Sequence, residues 1–202
     1  MQRKQNAIKN MACLISSLKM GRILCAPLLR SMEILEVVDE QGRICGAAPR
    51  DRVHGDNTLI HRVVHMLLTD GSGKILLQKR SGNKKVAPGS WDTSVGGHVD
   101  FAESIESALY REMHEELGVR PHSPEFAYRY IHADEFESEL VFTYVCRHEG
   151  PFRPDSAEID ELRFWSVDEI RKAVGTGILS RNFEDEFFRY LRWSGHAPEG
   201  GH

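Results

Sequence analysis

The chain has 202 residues, 41% hydrophobic and 28% charged. That is the profile of a soluble, globular, single-domain protein and excludes disordered, collagen-like and coiled-coil chains. Four scattered cysteines, Cys13, Cys25, Cys45 and Cys146, make no C-x-x-C pair, which argues against a zinc knuckle or disulfide framework and suits a reducing compartment. With 26 basic and 30 acidic residues the net charge is −4 at pH 7, so the chain is not built mainly to grip a nucleic-acid backbone.

Residues 1–31 carry Arg3, Lys4, Lys9, Lys19, Arg22 and Arg30 and no acid, which leaves the remainder at −10. Such a segment suits an organelle-targeting peptide, sequence outside the mature protein, or a docking arm. Lys19 and Arg22 break its apolar run well short of the roughly 20 residues a membrane span needs. The chain therefore reads as an extension over 1–31, one domain over 32–195 and a tail over 196–202.

Within the domain, Glu33 to Val38 reads as a strand, Asp39 to Gly42 as a turn and Arg43 to Ala48 as a second strand. His61 to Leu68 and Ile75 to Arg80 form a hairpin about Asp70-Gly71-Ser72-Gly73. A polar loop to Gly89 precedes a strand over Trp91 to Val95, with Gly96-Gly97 as a tight bend. Ser104 to Leu117 has helical periodicity and stops at Gly118. Phe126 to His132, Leu140 to Arg147 and Leu162 to Ser166 read as strands. Val167 to Val174 and Asn182 to Trp193 read as helices. Strands and helices mix without a regular β-α-β beat, which predicts an α/β domain with a mixed sheet and helices on both faces.

The helix over 104–117 carries the chemistry. At about 100° per residue, Ile105, Leu109, Met113 and Leu117 share an apolar arc, and Glu112, Glu115 and Glu116 fall together beside it. Two like charges about 4 Å apart repel by about 4 kcal/mol at an effective dielectric near 20. A helix C-terminus is also the wrong end for anions. Such carboxylates call for a cation, and an all-oxygen set favours Mg²⁺ or Mn²⁺ over zinc. Alone, Glu-x-x-Glu-Glu reads as a solvated acidic face. However, Gly97, Glu103, Arg111, Glu112, Glu115, Glu116 and Gly118, with Met113 and Val119, fill G-x5-E-x7-R-E-U-x-E-E-x-G-U without a gap. A chance match is on the order of 10⁻⁷.

This stretch resembles the signature box of the Nudix family at every defined position. The resemblance implies an α/β/α sandwich and hydrolysis of a nucleoside diphosphate linked to another group. It implies that Glu112, Glu115 and Glu116 hold Mg²⁺ or Mn²⁺, that Glu103 assists as a ligand or proton acceptor, and that Arg111 orients the carboxylates. Gly97 would let the backbone approach the metal. A second resemblance, to isopentenyl diphosphate isomerase, rests on His54-x6-His61, Lys84 or Lys85 to Trp91 as Lys-x-x-x-Pro-Gly-x-Trp, His98 and Glu137-Ser-Glu139. It implies a second metal site at His54, His61, His98, Glu137 and Glu139, for Mn²⁺, Zn²⁺ or Mg²⁺. That family needs a cysteine immediately before the box glycine, where this chain has Gly96, and its own box is degenerate where this one is complete.

Taken singly, His54, His61 and His98 also read as surface, half-buried strand and bend histidines, and His65, His114, His122 and His132 as ordinary surface or core residues. Trp91 reads as core packing or as a wall for a substrate base. Lys79, Arg80, Lys84 and Lys85 read as phosphate contacts or as a solvated loop. A loop carboxylate at Glu158 or Glu161 could supply a base, as in some Nudix enzymes. The expected protein is a cytoplasmic Mg²⁺-dependent hydrolase of a small diphosphate, with Arg80, Lys84, Lys85, Trp91, Gly96 and Gly97 lining the substrate. No nucleic-acid or membrane partner is expected, and a homodimer is left open. The rival readings are an isomerase-like enzyme and a non-catalytic ligand-binding module.

Overall fold

The structure, a computed structural model, describes residues 33–84, 86–120 and 122–196. The basic segment 1–31, Met32, Lys85 and residues 197–202 lie outside the described residues. In chain order the elements are β1 (Ile34–Val38), β2 (Ile44–Pro49), α1 (Arg50–Val53), β3 (Ile60–Thr69), β4 (Ile75–Arg80), β5 (Trp91–Asp92) and β6 (Val95–His98). They continue with α2 (Ile105–Leu117), β7 (Glu125–Ala133), β8 (Ser138–Arg147), β9 (Ile159–Trp165), α3 (Val167–Ala173) and α4 (Arg181–Trp193). This is the expected α/β class with a mixed sheet, and the two described cysteines, Cys45 and Cys146, are free thiols.

The chain divides into two compact units. The first contains residues 33–63, 98–104 and 130–141. β1 and β2 pair antiparallel from Ile34↔Pro49 to Val38↔Ile44, with a register shift at Val37/Val38. Asp39 sets their turn, its Oδ1 accepting from the backbone N–H of Gln41 and Arg43. Leu35, Val37, Ala48 and Val53 form its apolar cluster. Val53 belongs to α1, a single helical turn that periodicity over four residues is too short to announce. Two polar clips hold the loops. Arg62 pairs with Glu36 and donates to the Glu103 carbonyl at 3.2 Å. Asn57 Nδ2 donates to the Asp134 carbonyl at 2.8 Å, and Ser138 Oγ donates to the Asn57 carbonyl at 2.6 Å.

The second unit contains residues 64–97, 105–129 and 142–196 among those described. β4 is its central strand, antiparallel to β9 from Ile75↔Trp165 to Arg80↔Ile159 and to β5 through Gln78↔Asp92. Leu67, Leu77, Trp165, Phe183, Phe187 and Leu191 are among the residues of its main apolar cluster. Ser166 and Glu169 close a reciprocal capping box on α3, and Ser180 caps α4 through Phe183 N. The buried face of α2 is Ala108, Leu109, Met113 and Leu117, close to the expected arc except that Ala108 replaces Ile105.

The stretch expected as one strand over Trp91 to Val95 followed by a bend is instead two strands, with Gly96 and Gly97 inside the second. Buried hydroxyls make the break. Ser94 Oγ donates to the Leu76 carbonyl at 2.5 Å and accepts from Leu68 N at 2.8 Å, while Thr93 Oγ1 donates to the Met66 carbonyl at 3.3 Å. Side chains here take up backbone groups that a continuous ladder would have used.

Candidate functional site

The acidic helix and β6 meet at Gly97. A Cβ at Gly97 would lie 2.0 to 2.5 Å from the carboxylate atoms of Glu112, so a side chain here would push that carboxylate out of its present position. Arg111 Nη1 donates to Glu112 Oε1 at 2.6 Å and to Glu115 Oε2 at 3.3 Å. Glu115 otherwise faces solvent, with 58% of its side chain exposed. Glu116 turns inward and accepts from Gln78 Nε2 at 3.2 Å. Burial, and then the charge of Glu112, push the Glu116 carboxyl up to about 8.

The three box carboxylates are not among the residue groups whose ligand atoms lie within 4.8 Å of one another. Arg111 and Gln78 engage them separately, and mutual repulsion opposes their convergence without a cation. Glu103 lies in the first unit, where its carboxylate accepts from Asp100 N at 3.0 Å across a tight turn.

The second constellation is assembled within the first unit. His54, His61 and His98 form one group of converging ligand atoms, and His61, Glu137 and Glu139 another. The three imidazole centroids lie 5.0 to 5.3 Å apart. His54 Nε2 is 3.0 Å from His98 Nε2 and His54 Nδ1 is 3.0 Å from Glu137 Oε2. Both ring nitrogens of His61 are buried with no hydrogen-bond partner, although Nε2 stands 3.9 Å from Glu139 Oε1.

Burial, and then the neighbouring His98, lower His54 to about 4 and His61 to about 3, so both rings are neutral near pH 7. Burial and Glu139 raise Glu137 to about 7. A buried imidazole without a hydrogen-bond partner, facing two further rings and two carboxylates, is a donor set that fits a cation. Glu33 completes the surround, its Oε1 3.2 Å from His98 Nδ1. The His98 hydrogen bond is the leading cause that lowers Glu33 to about 2. The same turn at Asp134 that accepts from the N–H groups of Phe136 and Glu137 delivers Glu137 to this cluster.

The substrate-side residues divide. Trp91 is only 8% exposed and meets Trp165 edge to face at 5.2 Å, so it has the packing role rather than that of a wall. Arg80 is engaged by Asp92 at 3.2 Å and by the Val86 carbonyl at 3.1 Å. Lys84 pairs with Glu158. Lys85 lies outside the described residues. Gly96 has no positive φ and lies within β6 rather than at the expected tight bend. What restricts it is His65: a Cβ there would lie 3.1 Å from His65 Cδ2 and 3.3 Å from Nε2.

His65 takes the core alternative of the two expected for it, with a partner the sequence did not name. It is 5% exposed, and its Nδ1 lies 2.9 Å from Oε2 of the fully buried Glu186, whose Oε1 accepts from Thr143 Oγ1 at 2.7 Å. No local pattern announces the pair, because 121 positions separate its members. Gln78 lies 38 positions from its partner Glu116 and was equally hidden.

A carboxylate-bearing helix seated on a glycine strand in a mixed α/β fold is the architecture of the Nudix class. The sequence profile of the NUDIX domain matches residues 59–187, and the chain belongs to the Nudix family. The crystal structure of DR0079 from Deinococcus radiodurans shares the fold, with a TM-score of 0.68 at 23% identity over 78% of this chain and 98% of that one. The NUDIX domain of Shewanella oneidensis NrtR, solved with ADP ribose, gives a TM-score of 0.54 at 18% identity over 65% of this chain and 86% of that one. An isopentenyl-diphosphate Delta-isomerase of Mycolicibacterium vanbaalenii is 33% identical over 157 residues, 75% of this chain and 87% of that protein. Among the described residues no helix is long and apolar enough to cross a membrane.

Glu116 makes stability depend on pH. The folded carboxyl keeps its proton to about pH 8, whereas an ordinary one loses it near 4.5, so stability falls as pH rises through that window. Glu116→Gln keeps a neutral side chain throughout. Its melting temperature without metal should exceed that of the parent by on the order of 5 °C at pH 8. The difference should vanish near pH 4.5 in thermal scans.

Proposed function

We propose that this chain is a divalent-metal-dependent hydrolase that cleaves the diphosphate linkage of a nucleoside diphosphate derivative or a similar small metabolite. The observation that carries the reading is the Gly97–Glu112 contact: the backbone is stripped of a side chain where the box carboxylate lies. Glu112 and Glu116 are the principal ligands for Mg²⁺ or Mn²⁺, with Glu115 swinging in from solvent. A bound divalent ion supplies neutralisation of the diphosphate and a lowered pKa for the attacking water. Arg111 holds Glu112, Gln78 aims Glu116, and a deprotonated Glu116 is placed to accept a proton. Lys84 contributes a cation for the phosphates. Cytoplasmic location belongs to the same proposal.

The test is hydrolysis of nucleoside di- and triphosphates, nucleotide sugars, dinucleotides and prenyl diphosphates with Mg²⁺ or Mn²⁺. Glu116→Gln should lower turnover by on the order of 10²-fold or more at saturating metal, with the fold intact by circular dichroism. Parental turnover in that variant would remove Glu116 from the site.

A second reading, an isomerase-like enzyme acting on a prenyl diphosphate, is favoured by the assembled histidine–glutamate cluster and by the names of similar relatives. Deuterium exchange into isopentenyl diphosphate separates it from the first reading. A complete box argues against the non-catalytic module. Under either enzyme reading the cluster holds a metal. Mn²⁺ affinity there should drop between pH 8 and pH 6, because Glu137 takes up a proton near 7 while His54 and His61 remain neutral. His61→Ala should abolish that class of sites in electron paramagnetic resonance titrations.

Gly96 gives the sharpest contrast between the readings. Gly96→Cys restores a thiol at the position where the isomerase resemblance requires one, but it forces the new Cβ against His65. Hydrolysis should fall several-fold and no isomerisation should appear. Measurable isomerisation by this variant would show that the remaining machinery of an isomerase is intact.

A further inference from the structure

An exchangeable ion pair sits beside Glu116, on two loops whose backbones are already held without it. The loop over 153–158 hangs on the C-terminal end of α2: Arg153 N donates to the Leu117 carbonyl at 2.8 Å and Asp155 N to the Glu116 carbonyl at 2.9 Å. The Glu158 carbonyl accepts from Ser81 N at 2.9 Å, and Lys84 N donates to the Ser81 carbonyl at 3.0 Å. Across this junction the side chains of Lys84 and Glu158 form an ion pair, 29% and 42% exposed. A half-exposed pair of this kind stabilises a fold little. Both charges are felt at Glu116, where Glu158 disfavours and Lys84 favours the ionised carboxylate.

The geometry therefore joins one partly exposed cation to one carboxylate at the edge of the box carboxylates. A lysine is a point charge on a flexible stem and can change partners without moving the backbone. A divalent ion beside Glu112 and Glu116 attracts Glu158 and repels the Lys84 ammonium. An arriving diphosphate offers Lys84 a new anion. We propose that Lys84 is handed from Glu158 to the substrate's phosphates when metal binds, so that Glu158 joins the metal's field and metal and diphosphate bind cooperatively. The proposal rests on the hydrolase reading and names how that site is loaded. Lys84 and Glu158 act here as binding and positioning residues. No bond to either is made or broken.

Calorimetric titration of the full chain tests the exchange without turnover, with Mg²⁺ as metal and methylenediphosphonate as a non-hydrolysable diphosphate. In the parent protein each ligand should raise the affinity of the other by the same factor, about tenfold or more. Lys84→Met should bind Mg²⁺ alone several-fold more tightly and methylenediphosphonate in saturating Mg²⁺ several-fold more weakly, and Lys84→Arg should restore most of the phosphonate affinity. Glu158→Gln should do the reverse, binding Mg²⁺ less tightly and the phosphonate without metal more tightly, because Lys84 is already released. This opposition of signs is the diagnostic result, since a structural ion pair or a misfolded variant would weaken everything together. Affinities unchanged within twofold, or lowered in both variants for both ligands, would overturn the handover. A parent protein that shows the pattern but hydrolyses nothing would overturn the hydrolase reading alone, and one that hydrolyses without the pattern would overturn the handover alone.

Discussion

Charge taken out of water without a counter-charge is the constraint on which this structure turns. Glu116 sits at the inner edge of α2, near Glu112 and at the end of the helix where carbonyl dipoles already point outward. Protein groups answer the constraint only in part. Gln78 offers one hydrogen bond, Arg111 serves Glu112 and Glu115 instead, and the carboxyl keeps a proton that an ordinary glutamate would have lost. The arrangement is stable enough to fold and still poorly satisfied. That is the state expected of a cation site whose residual charge is meant for something other than the protein.

The histidine–glutamate cluster meets the same constraint with different chemistry. Burial keeps His54 and His61 neutral, and burial together with Glu139 presses Glu137 toward protonation. His61, with two buried nitrogens and no hydrogen-bond partner, is the counterpart of Glu116. Both centres are carried by strands and a helix whose apolar faces are fully buried, so the cost of poorly satisfied polar groups is offset by the surrounding core.

The two glycines of β6 separate the functional readings. Gly97 leaves room for the Glu112 carboxylate where it lies, and that contact belongs to the box. Gly96 faces His65, which Glu186 and Thr143 hold from within. Successive residues of a strand point to opposite faces. One residue position therefore serves the carboxylate helix, and the next abuts a buried imidazole where the isomerase resemblance calls for a thiol. The cluster and the relatives' names look toward the isomerase side of the family, and the filled box looks toward hydrolysis.

The acidic helix, the arginine at its centre and the glycine before it were legible in the amino-acid sequence. Their relations are local: a helix brings positions three and four apart together whatever the rest of the chain does. The five-residue cluster was also legible, but through its resemblance to a family rather than through periodicity, since His54, His98 and Glu137 meet only when separate loops are tied together. The split of β5 from β6 was not, because it depends on hydroxyls reaching the backbones of β3 and β4. Nor were Glu33 on His98, Gln78 on Glu116, Glu186 on His65 or Glu158 on Lys84. The sequence by itself determined the fold class, because that is written in helical and strand periods, and the identity of the box, because its residues match a family's motif position by position. Only the tertiary structure decided which polar groups answer the buried charges, because those partners are brought within hydrogen-bond reach by strand pairing and loop closure between segments far apart in the chain.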